Sequence, residues 1–325
     1  LKYLNYVLTN DFTDMEDWQA RYSPMCNENG YHEIRSVMQD IDLCDTLEVA
    51  TDKENLGKIC CIPVGIAIEF CTDEHTIPGD ESNLAVKGAK ALIQRLFPED
   101  GTVAGEGRPT IPKPSSVSIF LEKKLPSAAG LAGGSGDGAA VMLALNHLLG
   151  SPLSLRELME LGMAVGSDLP FSIMMNACRN RERLEGLQGL EEAGTAAIVQ
   201  GIGDVVIPCD PIHTYVILMN PGTQVSTARV YQHLDEMNVR SSGEGQLYTN
   251  VMEASTFSIC PEAKELRDRM REKLRADHVL MSGSGPSIAA YYAHRETASE
   301  DFSSLDGGAW LGRGWKKWFV ESGRR

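Results

Sequence analysis

Residues 125–150 read LPSAAGLAGGSGDGAAVMLALNHLLG, and no other stretch restricts the fold as much. Glycines at 130, 133, 134, 136 and 138 lead straight into an apolar pattern with helical spacing. Glycine lets a backbone turn tightly and approach a ligand closely. A helix that starts directly after such a loop presents unpaired N–H groups and the positive end of its dipole. The preceding run, with Val117, Ile119 and Leu121 at alternate positions, reads as a strand. Strand, glycine loop and helix in that order make a cradle for phosphate. No Gly-Lys-Ser/Thr follows the glycines, so this is not a Walker A loop. The G-x-G-x-x-G spacing of a dinucleotide fingerprint is absent too. The competing reading is a flexible linker that runs into an ordinary helix.

The rest of the composition narrows the partners. At 325 residues the chain can form two modest domains. A net charge of −15 argues against a nucleic-acid partner held by phosphate contacts. A small anionic substrate remains compatible, because local N–H groups and a few cations outweigh a distant acidic surface. No apolar run approaches the ~20 residues that span a membrane, and no basic-then-apolar leader is present. Eight scattered cysteines without a C-x-x-C spacing fit a reducing cytoplasm and no zinc site. No metal-ligating cluster is expected from the protein itself.

Along the chain, the first thirty or so residues look irregular, with Asp11, Asp14, Glu16 and Asp17 forming an acidic patch. Residues 36–49 alternate as a strand pair would. Residues 80–97 read as a helix capped by Ser82 or Asn83, and 99–116 as a surface connector. Ser154 and Glu157 form a capping box ahead of another helix, which Gly162 or Gly166 can end. Residues 178–193 read as a charged loop, 198–206 and 214–219 as strands, and 225–234 and 262–274 as helices. A second glycine–serine turn, Ser282-Gly283-Ser284-Gly285-Pro286, precedes a short buried strand. Mixed elements without strict βαβ alternation predict an α+β protein.

PSAAGLAGGSGDGAA resembles the second signature of the GHMP kinases, whose loop holds the phosphates of ATP. Three further segments are similar to the 4-diphosphocytidyl-2-C-methyl-D-erythritol kinases within that family: NGYHEIRSVMQDIDLCDTLEV at 29–49, GSDLPF at 166–171 and MSGSGP at 281–286. PGDESNLAVKGA and VSTARVYQHL add to the match. The resemblance implies an N-terminal ATP-binding domain over 1–195, like domain 2 of ribosomal protein S5. It implies a ferredoxin-like C-terminal domain over 196–325.

It also implies site residues. Pro126, Ala128, Ala129, Gly130, Leu131, Ala132, Gly133, Gly134, Ser135 and Gly136 would line ATP, with Asn83 near adenine or ribose. The Ser135 hydroxyl would face a phosphate oxygen or the magnesium shell. Asp168 would take the proton of the acceptor hydroxyl. Its competing role is a helix N-cap, since Pro170 follows two residues later. Tyr31 and His32 would hold a cytidine base, with Tyr231 on its other side; the alternatives are a surface hairpin and a core tyrosine. Ser282, Gly283, Ser284 and Gly285 would support the phosphate loop or the substrate tail, or make a plain tight turn. Asp137, in the first turn of the helix, suits the dipole or serves structure alone.

Some features depart from the family pattern. The resemblance implies that the family's opening catalytic lysine, which polarises the acceptor hydroxyl and steadies the phosphate charge, is Lys2, which lies farther from the Gly-Tyr-His turn than the pattern expects. Residues 174–193 look inserted. Beyond Tyr292 the likeness fades into a tail with Trp310, Trp315, Trp318, Lys316, Lys317, Arg324 and Arg325, for which a poorly packed end is expected. The predicted reaction is ATP- and magnesium-dependent phosphorylation of the 2-hydroxyl of a cytidine diphosphate-linked methylerythritol, in a bacterial cytoplasm. No membrane or nucleic-acid partner is expected. A catalytically impaired nucleotide-binding relative and a kinase of another small alcohol, such as homoserine, are the alternatives.

Overall fold

The computed structural model describes residues 3–6 (backbone only), 32, 34–52, 58–99, 111–237, 250–306, 310 and 314–323. It divides into two compact units. One comprises 43–127 and 133–195; the other comprises 2–42, 128–132 and 196–325. The units are therefore not the contiguous halves 1–195 and 196–325 expected from sequence. The reason is strand pairing: β2 (Ile34–Asp40) bonds antiparallel to β7 (Ala196–Gly201).

In the first unit, the described strands form one sheet in the order β3 (Thr46–Thr51), β6 (Ser116–Glu122), β5 (Ala67–Thr72), β4 (Lys58–Cys61). β5 and β6 are parallel and the outer pairings antiparallel. Residues 36–49 thus hold two strands, as expected, but they do not pair with each other. β2 joins β7 in the second unit, and β3 joins β6 here.

Among the described residues, four helices pack into this unit's core, α1 (Leu84–Leu96) and α2 (Gly133–Leu148) against the sheet, with α3 (Leu155–Met163) and α4 (Leu169–Arg179) against the helices. Ile68, Val117, Ile119 and Leu121 from the strands share a core with Val86, Ala89, Leu92, Ile93, Val141, Met142, Leu145 and Ile173. α1 and α2 approach backbone to backbone. A Cβ on Gly88 would lie 2.9 Å from the Gly138 carbonyl oxygen, and one on Gly138 would lie 2.8 Å from that of Leu84. Only glycine permits such a crossing.

α3 begins as the sequence predicts. The Ser154 side chain caps the backbone N–H of Glu157, and the Glu157 carboxylate accepts from Ser154 N–H at 2.8 Å. Ser154→Ala is expected to cost about 1 kcal/mol, read as a lower denaturant midpoint at unchanged slope. The helix ends on Ala164; Gly162 lies inside it, buried under Ile173 and Leu169, and Gly166 N–H bonds back to Gly162. α4 runs through Met174 and Met175, both buried. The segment that follows, up to Ala193, carries two short 3-10 turns, Arg181–Arg183 and Leu190–Glu192.

The second unit holds two antiparallel sheets among its described residues. One is ordered β1 (Tyr3–Tyr6), β2, β7, β8 (Val205–Pro208). A turn at Gly201 and Gly203 splits the single strand expected over 198–206. The other is ordered β10 (His278–Met281), β11 (Ile288–Tyr292), β9 (Thr214–Asn220), β12 (Lys316–Ser322). Its helices are α5 (Thr227–Met237), α6 (Glu253–Ile259), α7 (Pro261–Lys273) and α8 (Arg295–Ser304). Sequence reading missed α6 and α8.

The described part of the tail is packed, and Arg324 and Arg325 lie outside the described residues. β12 pairs along all of β9, and Trp310 and Trp315 are buried with Arg269 stacked over both rings. Tyr292 donates to the buried Asp301 of α8 at 3.0 Å, and Arg275 holds the same carboxylate. Aromatic rings and a buried acid read as a divergent tail in one dimension; in three they close a core.

Candidate active site

The glycine loop follows β6 as predicted. Ala128 (φ 50°) and Ala132 (φ 46°) adopt left-handed backbone, beside Gly130 at φ 70°. For alanine that conformation costs about 1–2 kcal/mol, and such strain collects where a ligand is held. Ala128 and Gly134 are exposed, while Ala129, Leu131, Ser135 and Gly136 are buried. The first four N–H groups of α2 belong to Gly133, Gly134, Ser135 and Gly136 and have no partner within the helix. Three of those four carry no side chain to cover them, which suits anionic oxygens.

Within the first unit, three charges are buried beside this helix start. Lys123 Nζ donates to Asp45 Oδ2 and to Asp137 Oδ2, both at 2.7 Å. The side chains of Lys123, Asp45 and Asp137 are 4%, 1% and 6% exposed. Asp45 Oδ1 also accepts the backbone N–H groups of Lys124 and Leu125. Burial pushes the Asp137 carboxyl up to about 6 against the pull of Lys123. Burial also opposes the Lys123 charge, but the two carboxylates outweigh it and hold its pKa above the usual lysine value. A Cβ on Gly133 would lie 3.2 Å from Lys123 Nζ, so the triad abuts the first residue of α2. Asp137 is thus bound into a buried ion pair near the start of α2. A buried cation at a strand end needs an anion; that rule, applied to Lys123 after an apolar strand, would have exposed the pair.

Asp168 stands at the head of α4, half-buried, with Leu169, Pro170 and Phe171 buried behind it. It occupies the N-cap position, yet its side chain makes no capping hydrogen bond.

Within the second unit, the turn 282–285 packs against Gly130. Ser282 Oγ donates to Gly130 O at 2.9 Å, and a Cβ on Gly130 would lie 2.2 Å from Ser282 O and 2.6 Å from Gly285 N. Ser282 is fully buried, and Ser284 Oγ lies 2.8 Å from Thr227 Oγ1. Ser282 and Gly285 thus lie directly against the loop residue Gly130. In the same unit, the His32 ring stacks on Tyr231, centroids 4.9 Å apart and 8° from parallel, and His32 Nε2 lies 3.2 Å from Asp235 Oδ2. Tyr231 is half-buried against the core, so it has both a packed side and a stacked one.

Two family models match the chain: the GHMP kinases N terminal domain over residues 83–176, and the GHMP kinases C terminal over residues 234–307. The 4-diphosphocytidyl-2-C-methyl-D-erythritol kinase of Alkaliphilus oremlandii (strain OhILAs) is 32% identical over 296 residues, 86% of each chain. The chain belongs to the GHMP kinase family. A second such enzyme, from Bacillus velezensis (strain DSM 23117 / BGSC 10A6 / LMG 26770 / FZB42), is also 32% identical, again over 86% of each chain. The crystal structure of a 4-(cytidine 5'-diphospho)-2C-methyl-D-erythritol kinase superposes with a TM-score of 0.65 at 25% identity, covering 100% of this chain and 98% of that one.

The remaining expectations for this GHMP kinase divide as follows. Asn83 caps α1: its Oδ1 accepts from Ala85 N–H and its Nδ2 donates to Pro78 O, both at 2.8 Å. The cap is thus made by Asn83 rather than Ser82, with its amide bonded on both sides. Lys2 and Tyr31 lie outside the described residues. Among those described, no cluster of His, Cys, Asp or Glu could hold a metal ion, and no helix is long and apolar enough to cross a membrane.

Proposed function

We propose that this GHMP kinase transfers the terminal phosphoryl group of ATP to the 2-hydroxyl of 4-diphosphocytidyl-2-C-methyl-D-erythritol. The observation that carries the proposal is the near-full-length match to enzymes of that one name, at 32% identity over 86% of each chain. Gly130 through Gly136 hold the phosphates through backbone N–H groups, with Ala128, Ala129 and Pro126 along the approach. Asp168 accepts the hydroxyl proton as the oxygen attacks phosphorus and the bond to ADP breaks. Positioning and charge neutralisation dominate such a transfer.

Magnesium fits as a companion of ATP: the cation typically keeps several waters and takes one or two protein ligands besides the phosphates. It supplies neutralising charge to the phosphate oxygens, and the Ser135 hydroxyl at the start of α2 suits its shell. The free thiols of the described cysteines accord with a reducing cytoplasm.

His32, its ring backed by Tyr231, supplies an aromatic surface for the cytosine. Base stacking on such a surface contributes about 1–3 kcal/mol. The test is ADP release with ATP and the cytidylyl substrate, compared with homoserine as acceptor. Turnover on the first alone is expected, and Tyr231→Ala should raise KM for that substrate by about 5–150-fold. Turnover on homoserine, or a KM indifferent to Tyr231, removes the cytidine reading.

A further inference from the structure

We propose that Asn250 is a positioning residue for the nucleotide loop, acting on Gly130 through the turn 282–285. The inference rests on the reading that this loop binds ATP. Asn250 is half-buried just ahead of α6. Its Nδ2 donates to Met281 O at 2.9 Å and to Gly283 O at 2.7 Å, the carbonyls on either side of Ser282. Its Oδ1 accepts from Met252 N–H at 2.9 Å, and its own carbonyl accepts from Glu253 N–H at 3.0 Å. The side chain is thus fixed to the start of α6 at one end and to the turn at the other.

Two more groups on α6 hold the same turn. Thr256 Oγ1 donates to Ser284 O at 3.0 Å, and Glu253 Oε1 accepts from Met281 N–H at 2.9 Å. Ser282, held between the carbonyls Asn250 binds, passes the constraint on. Its hydroxyl donates to Gly130 O, and its own carbonyl sits where a Gly130 side chain would begin. Backbone contacts this close leave the loop little freedom to move without the turn. An amide is the one small side chain that offers two donors and an acceptor in one plane. A carboxylate there would face two carbonyls, and an alanine would strand three polar groups.

The readout is ATP affinity by calorimetry together with KM for each substrate. For Asn250→Ala, the dissociation constant and KM of ATP should rise about ten-fold, while KM of the alcohol changes by less than about two-fold. A lowered unfolding midpoint with ATP affinity within about two-fold of the parent would mean a purely structural role and overturn the proposal. Should the alanine variant not fold, Asn250→Ser keeps one donor and should lose about three-fold in ATP affinity; an unchanged affinity overturns the proposal equally. A parent chain that does not bind ATP at all defeats the loop reading itself, and this inference with it. A parent that binds ATP beside an indifferent Asn250→Ala variant defeats this inference alone.

Discussion

Asp168→Asn is expected to lower kcat by about 10²–10⁴-fold, with ATP affinity within about two-fold of the parent. Asparagine keeps the size and polarity of the side chain at the head of α4 but cannot take a proton. The carboxylate makes no capping bond, and a urea melt of both proteins checks that the fold is kept. Steady-state kinetics with ATP and the cytidylyl substrate, beside calorimetric ATP binding, separates the cases. Equal kcat in both proteins removes Asp168 from the mechanism. A parent that binds ATP yet releases no ADP points to a relative that has lost turnover.

Lys123→Ala is expected to destabilise the first unit by about 3–5 kcal/mol, the usual cost of breaking a buried ion pair from one side. It leaves Asp45 and Asp137 buried together without their shared cation. The loss should depend on pH. The Asp137 carboxyl is already raised from 3.8 to about 6 in the folded parent, so the native state holds this proton more tightly than the unfolded chain does. Its contribution is therefore greatest at low pH and is lost as pH rises from about 4 through about 6. Without Lys123 the carboxyl rises further, and the variant should be less destabilised near pH 5 than near pH 8. Urea melts at the two values test this; a penalty independent of pH would show that the carboxylates do not govern it. Asp137→Asn should flatten the slope that the parent shows between them.

Much of the fold could be read one-dimensionally because its signals are local. The capping box at Ser154, the glycine run at the start of α2 and the Gly-Ser turn at 282–285 are set by neighbours in sequence. Pairings over long distances were not legible. Nothing in residues 36–49 says that β2 leaves β3 for β7, and nothing in the tail announces that β12 completes a sheet begun by β9. The site divides the same way. Asp168 and the loop carry recognisable spacing, whereas Lys123 and Asn250 matter through partners that lie 78 and 31–33 positions away. Asn83, by contrast, is legible locally: the cap it makes on α1 follows from its place just ahead of the helix.

The order of strands in the second unit has a consequence for how the polypeptide emerges from the ribosome. β2 must wait for residues 196–201, and β9 gains its two neighbours only when 288–292 and 316–322 have been made. Until then its backbone groups stand open, a template for any other nascent strand nearby. Such distant pairings slow folding. Synthesis halted before residue 316 should therefore leave a chain that clumps, with the first unit already formed and the second waiting for its last strand.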